Sequence, residues 1–294
     1  MNLNWNTINK VSDALLVISL ILLLSIPSHT TIVRAGQDDS NDKEVGVEWL
    51  EIYYDPNLRN LTWTQEEAEG FYNALGDKGW TKRFNWGNDL AWESDFEDPS
   101  VGGSDYVWID SVDFAWFAGH GDPEGLYFST NHDRDGKFTK FVHYTEVKWG
   151  DKDLEWIVIA ACQVLAYTPL NLPDAIDRWG PAFKGLHVMM GFETFLYDQP
   201  ICLTPWGPCV TAGERMVTYM TRSLPGPVPI GYAWRLTTGD WQPSNVYAAL
   251  LAVVDNYNGY FYDNDYLPGY GYVGPDIDDP MQPGYGFVYR RWQC

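Results

Sequence analysis

The sequence predicts an α/β protein with a mainly parallel sheet and helices on both faces. Two observations carry this. Residues 155–161, Glu-Trp-Ile-Val-Ile-Ala-Ala, form a nearly continuous apolar run, which suits a central parallel strand covered on both sides. Strand-like and helix-like stretches also alternate along the chain in the order β-α-β-β-α-β-α.

The elements follow in order. Residues 46–54 are rich in β-formers and alternate in part, so they read as a first strand. Thr64-Gln-Glu-Glu67 is a capping-box pattern, and Ala68, Phe71, Tyr72 and Leu75 recur at helical spacing until Gly76 and Gly79 end the helix. Residues 82–86 give a second strand, 87–104 an acidic irregular stretch, and 112–118 a buried strand. After the apolar run come a helix at 175–183, a core strand at 186–190, an amphipathic helix at 212–220 and a last helix at 247–254. The tail, 259–286, is dense in Tyr, Gly, Pro and Asp, a composition that forms no long regular element. It is expected to be an irregular aromatic extension packed on the domain.

At 294 residues with 45% hydrophobic content, the chain can bury one large core. The formal charge of -21 would repel a phosphate backbone, so nucleic acid is excluded as an expected partner. The apolar run 14–26 follows Lys10 and is too short to span a bilayer comfortably. With small residues before Ala35 it reads as a secretory signal cleaved after that residue, and a retained N-terminal anchor is the alternative. The expected organisation is therefore a signal at 1–35, an α/β domain at 36–258 and the extension at 259–294, in a secreted or extracytoplasmic protein with no stable membrane insertion after cleavage.

Four cysteines do not make a disulfide scaffold. Cys202 and Cys209 flank a turn-rich loop and are expected to pair, whereas Cys294 has no obvious mate and is available to another chain. Asn60-Leu61-Thr62 is a glycosylation acceptor pattern. Asn131, Asp133, Asp135 and Thr139 space oxygen ligands around Gly136 like the opening of a calcium loop, but Val142 stands where the bidentate Glu belongs. A solvated turn explains the same residues, and no cofactor is expected to be required. Asp276, Asp278 and Asp279 form either a second ion site or plain surface charge. His132, His143 and His187 lack paired zinc spacing.

The chemistry points to His120 and Cys162. Two strand-like runs each end in a reactive residue: Phe114-Ala-Trp-Phe-Ala-Gly-His120-Gly121 and Trp156-Ile-Val-Ile-Ala-Ala-Cys162-Gln163. Ligands bind outside the carboxyl ends of strands in open parallel sheets, so adjacent strands would bring imidazole and thiol to one rim. There His120 would favour the thiolate and protonate a leaving amine. The Gly121 and Cys162 amides would bind the oxyanion. For a third, orienting group, Asp122, Glu124, Asp113 or a backbone carbonyl would serve.

An apolar strand ending in His-Gly, followed by another ending in Ala-Cys, resembles the caspase-like cysteine peptidases, the clan that includes caspases, metacaspases, legumains and gingipains. The resemblance implies a caspase-like sheet and a thiol protease acting on a peptide or protein substrate through a thioester. Ala161, Cys162 and Gln163 fit the caspase pattern, while Ala160 and Val164 depart from it, which puts cleavage after Asp in doubt. Residues 91–96, 149–156 and 183–191 also look like a family of exported prokaryotic proteins that shares this core and implies no function of its own. A non-catalytic extracellular binding or structural protein on the same fold is the alternative. A carbohydrate-active protein, with Glu93, Asp95, Glu97 or Glu193 as carboxylates, is a third reading, prompted by 15 Trp and 19 Tyr. A specificity pocket is expected near Glu193 or Trp234, and Glu193 there would favour a basic residue before the cleaved bond.

Overall fold

The computed structural model describes residues 42–132, 139–202 and 208–294. The expected export signal lies outside the described residues. The strands are β1 Glu44–Trp49, β2 Thr81–Gly87, β3 Phe114–Ala118, β4 Gly121–Asp122, β5 Gly125–Tyr127, β6 Phe141–His143, β7 Trp156–Ala160, β8 Val188–Phe192, β9 Ile201–Cys202, β10 Cys209–Val210, β11 Tyr247–Asp255, β12 Tyr260–Phe261 and β13 Tyr285–Gln293. The helices are α1 Thr64–Gly76, α2 Ala175–Trp179, α3 Ala212–Thr221 and α4 Ile230–Trp241.

The central sheet is α/β in kind and mostly parallel. From one edge, β2, β1, β3, β7 and β8 run parallel, and β11 then joins β8 antiparallel. β11 also pairs antiparallel with β12 and, along its whole length, with β13.

The two faces can be read from β3, because successive side chains point to opposite sides. Trp116 packs on Phe71 of α1 and Trp234 of α4, while its neighbour Phe117 packs on Phe96 and Phe128. On the first face, α1, α3 and α4 lie side by side. The second carries short 3-10 turns between residues 93 and 111, with α2, whose Trp179 stacks on Trp149.

Several sequence expectations need correction. Residues 247–254 are strand β11, not a helix; Ala and Leu favour a helix locally, but the run is buried on both faces and hydrogen-bonded along both edges, so pairing overrides propensity. The helix at 230–241 was not anticipated. The expected helix at 175–183 ends at Trp179 and continues as one 3-10 turn. The tail is irregular from 265 to 284, as its composition implies, and then contributes β13 to the sheet. Asp265 holds the irregular part down: its carboxylate accepts from the Trp156 indole at 3.1 Å, the Tyr260 hydroxyl at 2.7 Å and the Gly274 amide at 2.8 Å, and lies 2.8 Å from His187 Nδ1.

Candidate active site

The register of β3 against β7 sets the site. Ala118 pairs with Ala160, so His120 and Cys162 each lie two residues beyond paired strand ends at the carboxyl edge of the sheet. Both line the same cleft, together with Arg59 and Leu196. Close packing explains the glycines around the imidazole. A Cβ on Gly119 would lie 2.7 Å from the Tyr53 hydroxyl, and one on Gly121 would lie 2.9 Å from Ala161 Cβ and 3.0 Å from the Gly125 carbonyl oxygen. After the thiol the chain turns sharply. Gln163 has φ 57°, a left-handed conformation unfavourable by about 1 kcal/mol for a non-glycine residue, and its amide donates to the Thr194 carbonyl at 3.1 Å.

His120 is held at three points. Its backbone N–H donates to the Tyr53 hydroxyl at 2.8 Å, its ring lies 4.7 Å from the Tyr53 ring, and its Nε2 lies 2.8 Å from the Arg59 carbonyl oxygen. A carbonyl only accepts, so Nε2 carries the proton and Nδ1 is the basic nitrogen. The Arg59 carbonyl thus orients the ring. Asp122 instead accepts from the Glu124 amide and the Tyr127 hydroxyl, Asp113 accepts from the Glu44 amide, and Glu124 is exposed.

Burial sets the resting charge state. It lowers the His120 pKa, opposed by the Arg59 carbonyl, and it raises that of the Cys162 thiol, opposed by the Leu196 amide. The resting pair is therefore imidazole and thiol, where the sequence reading expected a stabilised thiolate. Tyr127 N–H donates to the His120 carbonyl at 3.1 Å, so the next pair, Gly121 with Leu126, is a non-hydrogen-bonded one and does not use the Gly121 N–H.

A small recess with an inner volume of about 40 Å³ opens beside the thiol, lined by Leu61, Thr64, Glu67, Leu196, Asp198 and Trp241. Glu67 is 2% exposed. One of its oxygens accepts from the Ala212 amide at the start of α3, and the other has no hydrogen-bond partner. Burial pushes its pKa from 4.5 to about 8. Sequence reasoning assigned Glu67 to a capping box and did not single out Tyr53, Arg59, Asp198 or Trp241. The helix indeed begins at Thr64, but without a side-chain cap, since the Thr64 hydroxyl donates to the Leu50 carbonyl at 2.9 Å.

The other candidates lie elsewhere. Glu193 is paired with Arg291 at 2.7 Å, and Trp234 is fully buried against Trp116 and Phe192, so neither shapes this recess. Glu93, Asp95 and Glu97 are buried under the sheet, and the Asp95 carboxyl shares a hydrogen bond with that of Glu48. Of the calcium pattern, Asp133 and Asp135 lie outside the described residues, whereas Asn131 and Thr139 lie inside them. Among the described residues no group of three or more His, Cys, Asp or Glu side chains could hold a metal ion.

His132 stacks on Trp92, and Asp279 faces Lys184 at 3.4 Å while Asp276 and Asp278 are exposed. Asn60 is exposed, with its side-chain oxygen accepting from the Tyr53 amide at 2.9 Å. Cys202 and Cys209 form a disulfide across the β9–β10 ribbon. The Cys294 thiol is half-buried at the end of β13. No helix among the described residues is long and apolar enough to cross a membrane.

Residues 47–292 match the family model of a domain of unknown function, DUF6345. No protein of curated function matches the chain. Among solved structures, it is similar to a pro-sf-caspase-1 at 12% identity and a TM-score of 0.37, over 68% of this chain and 80% of that one. It is also similar to the Arg-specific cysteine proteinase gingipain R at 12% identity and a TM-score of 0.39, over 83% of this chain; it spans 60% of the gingipain chain.

Proposed function

We propose that the chain, which belongs to the DUF6345 family, is a cysteine endopeptidase with Cys162 as nucleophile and His120 as general base and acid. One observation carries the reading: His120, its ring oriented by the Arg59 carbonyl, and Cys162 follow the paired ends of β3 and β7 and line one cleft. In the proposed cycle Nδ1 takes the thiol proton as Sγ attacks the peptide carbonyl carbon. The oxyanion rests on the Gly121 and Cys162 amides. The imidazolium then protonates the leaving amine as the C–N bond breaks, which leaves a thioester. Water, losing one proton to Nδ1, attacks the thioester carbonyl; the C–S bond breaks, the imidazolium gives that proton to the leaving thiolate, and the acid product releases its remaining proton to solvent.

Export is part of the proposal, with residues 1–35 as the cleaved signal. The Cys202–Cys209 disulfide supports an oxidising compartment. The test is hydrolysis of a peptide library by protein starting at Gly36, beside Cys162→Ala and His120→Ala. Turnover should vanish in the first and fall at least about 100-fold in the second. Turnover that survives Cys162→Ala would refute the assignment, and a folded protein that cleaves nothing would favour a binding role.

A further inference from the structure

We infer that the recess beside Cys162 receives the side chain of the residue whose carbonyl is attacked, and that it selects lysine, with the ammonium on the unpartnered oxygen of Glu67. The inference rests on the peptidase reading and adds its substrate class. Glu67 lies in the first turn of α1, 2% exposed, and lines the recess, and its buried Oε1 has no hydrogen-bond partner. A buried acceptor with nothing to accept is unfavourable, and a donor brought by the substrate would satisfy it.

The walls suit a lysine stem. Leu61, Leu196 and Trp241 offer apolar surface to four methylenes. Asp198 adds a second carboxylate, fixed by the Thr62 and Trp63 amides at 2.6 and 2.9 Å. Arg59, the guanidinium-bearing residue of the lining, is exposed.

The free oxygen also discriminates between cations. Oε2 already accepts from the Ala212 amide, so Glu67 offers one oxygen, which matches a compact ammonium. A guanidinium fork makes its strongest contact with both oxygens of a carboxylate. Burial, reinforced by the negative charges of Asp198 and Glu66, keeps Glu67 protonated until about pH 8. An incoming ammonium therefore displaces a proton, and lysine selectivity should strengthen as pH rises towards that value.

The experiment compares peptidyl chloromethyl ketones that differ only in the residue next to the reactive group: lysine, arginine, norleucine or aspartate. In each, Sγ attacks the methylene carbon and chloride leaves. In the unmodified protein the lysine reagent should label Cys162 at least about 10-fold faster than the norleucine reagent and several-fold faster than the arginine one, with aspartate slowest. The lysine-to-norleucine ratio should rise between pH 6.5 and 8.5, and because both reagents share the dyad its titration cancels. Glu67→Gln keeps a carbonyl for the Ala212 amide; it should bring the lysine rate down to the norleucine rate, with circular dichroism reporting an intact fold.

A ratio near one, or a lysine preference that persists in Glu67→Gln, overturns the inference while the peptidase reading stands. Arginine ahead of lysine overturns the single-oxygen argument. If iodoacetamide labels Cys162 and none of the four reagents does, both readings fall together.

Discussion

Glu67 should cost the protein stability, and the cost can be measured without a substrate. Its carboxyl titrates at about 8 in the folded chain against an ordinary 4.5. Between those values the folded state holds a proton that the unfolded state has released, so stability contributed by this group falls as pH rises from about 4.5 and levels off above about 8. At 1.36 kcal/mol per pH unit the loss is roughly 3 kcal/mol at pH 7 and nearer 5 kcal/mol above pH 8.5. Glu67→Gln removes the titration and keeps the acceptor for the Ala212 amide. Urea unfolding of both proteins, followed by tryptophan fluorescence, should give nearly equal stabilities at pH 4.5 and a variant more stable by about 3 kcal/mol at pH 7. Parallel stability curves across that range would show that Glu67 ionises freely in the fold, and the argument for an uncompensated acid in the recess would fail.

Three further predictions concern the dyad. Because burial raises the Cys162 thiol and lowers His120, iodoacetamide labelling of Cys162 should still be climbing above the free-thiol value of about 8.5; a plateau already reached near pH 6 would mean a resting ion pair. Gly121→Ala sets a Cβ 2.9 Å from Ala161 Cβ, so it should destabilise by about 1–3 kcal/mol and, by displacing the Gly121 amide, lower kcat about 100-fold. Unchanged turnover would remove that amide from the oxyanion site. Tyr53→Phe deletes the acceptor of the His120 amide, with an expected loss of about 1–3 kcal/mol on urea unfolding and a lower kcat at unchanged KM. A variant that matches the parent in both would show that Tyr53 does not position the ring.

What could be read from the sequence is what local pattern determines. β7 was legible because a strand buried on both faces needs an unbroken apolar run, and the place of His120 and Cys162 in one cleft was legible because each follows such a run. β11 was not. Tyr-Ala-Ala-Leu-Leu-Ala-Val-Val is as apolar as β7 but carries no period and is rich in helix formers, and its strand state is fixed by β13, some thirty residues further along. The orienting group of His120 was hidden for a related reason. A backbone carbonyl has no sequence signature, and only the path of the β1–α1 connection brings Arg59 back to the ring.

Glu67 shows how one local pattern can serve two jobs. Thr64-Gln-Glu-Glu67 announces a helix start, and a helix starts there, yet neither side chain caps it. Thr64 turns to the Leu50 carbonyl, and Glu67 crosses to the first amide of α3, 145 residues away in sequence. The crossing needs two helices in close approach, and glycines permit it: a Cβ on Gly213 would lie 2.2 Å from the Glu67 carbonyl oxygen, and one on Gly70 would strike the Thr211 hydroxyl. A capping glutamate would sit in water and ionise at its ordinary pKa. Drawn under α3 instead, it keeps one oxygen occupied, the other empty and its proton retained. The proposed dyad can be guessed from strand ends, but the proposed selectivity would depend on a helix–helix contact that no local window contains. Lengthening the side chain at Gly213 should therefore push the helices apart, release Glu67 to solvent and abolish the lysine preference while Cys162 still reacts with iodoacetamide; a Gly213→Ala protein that retains the preference would show that α3 does not set the acid in place.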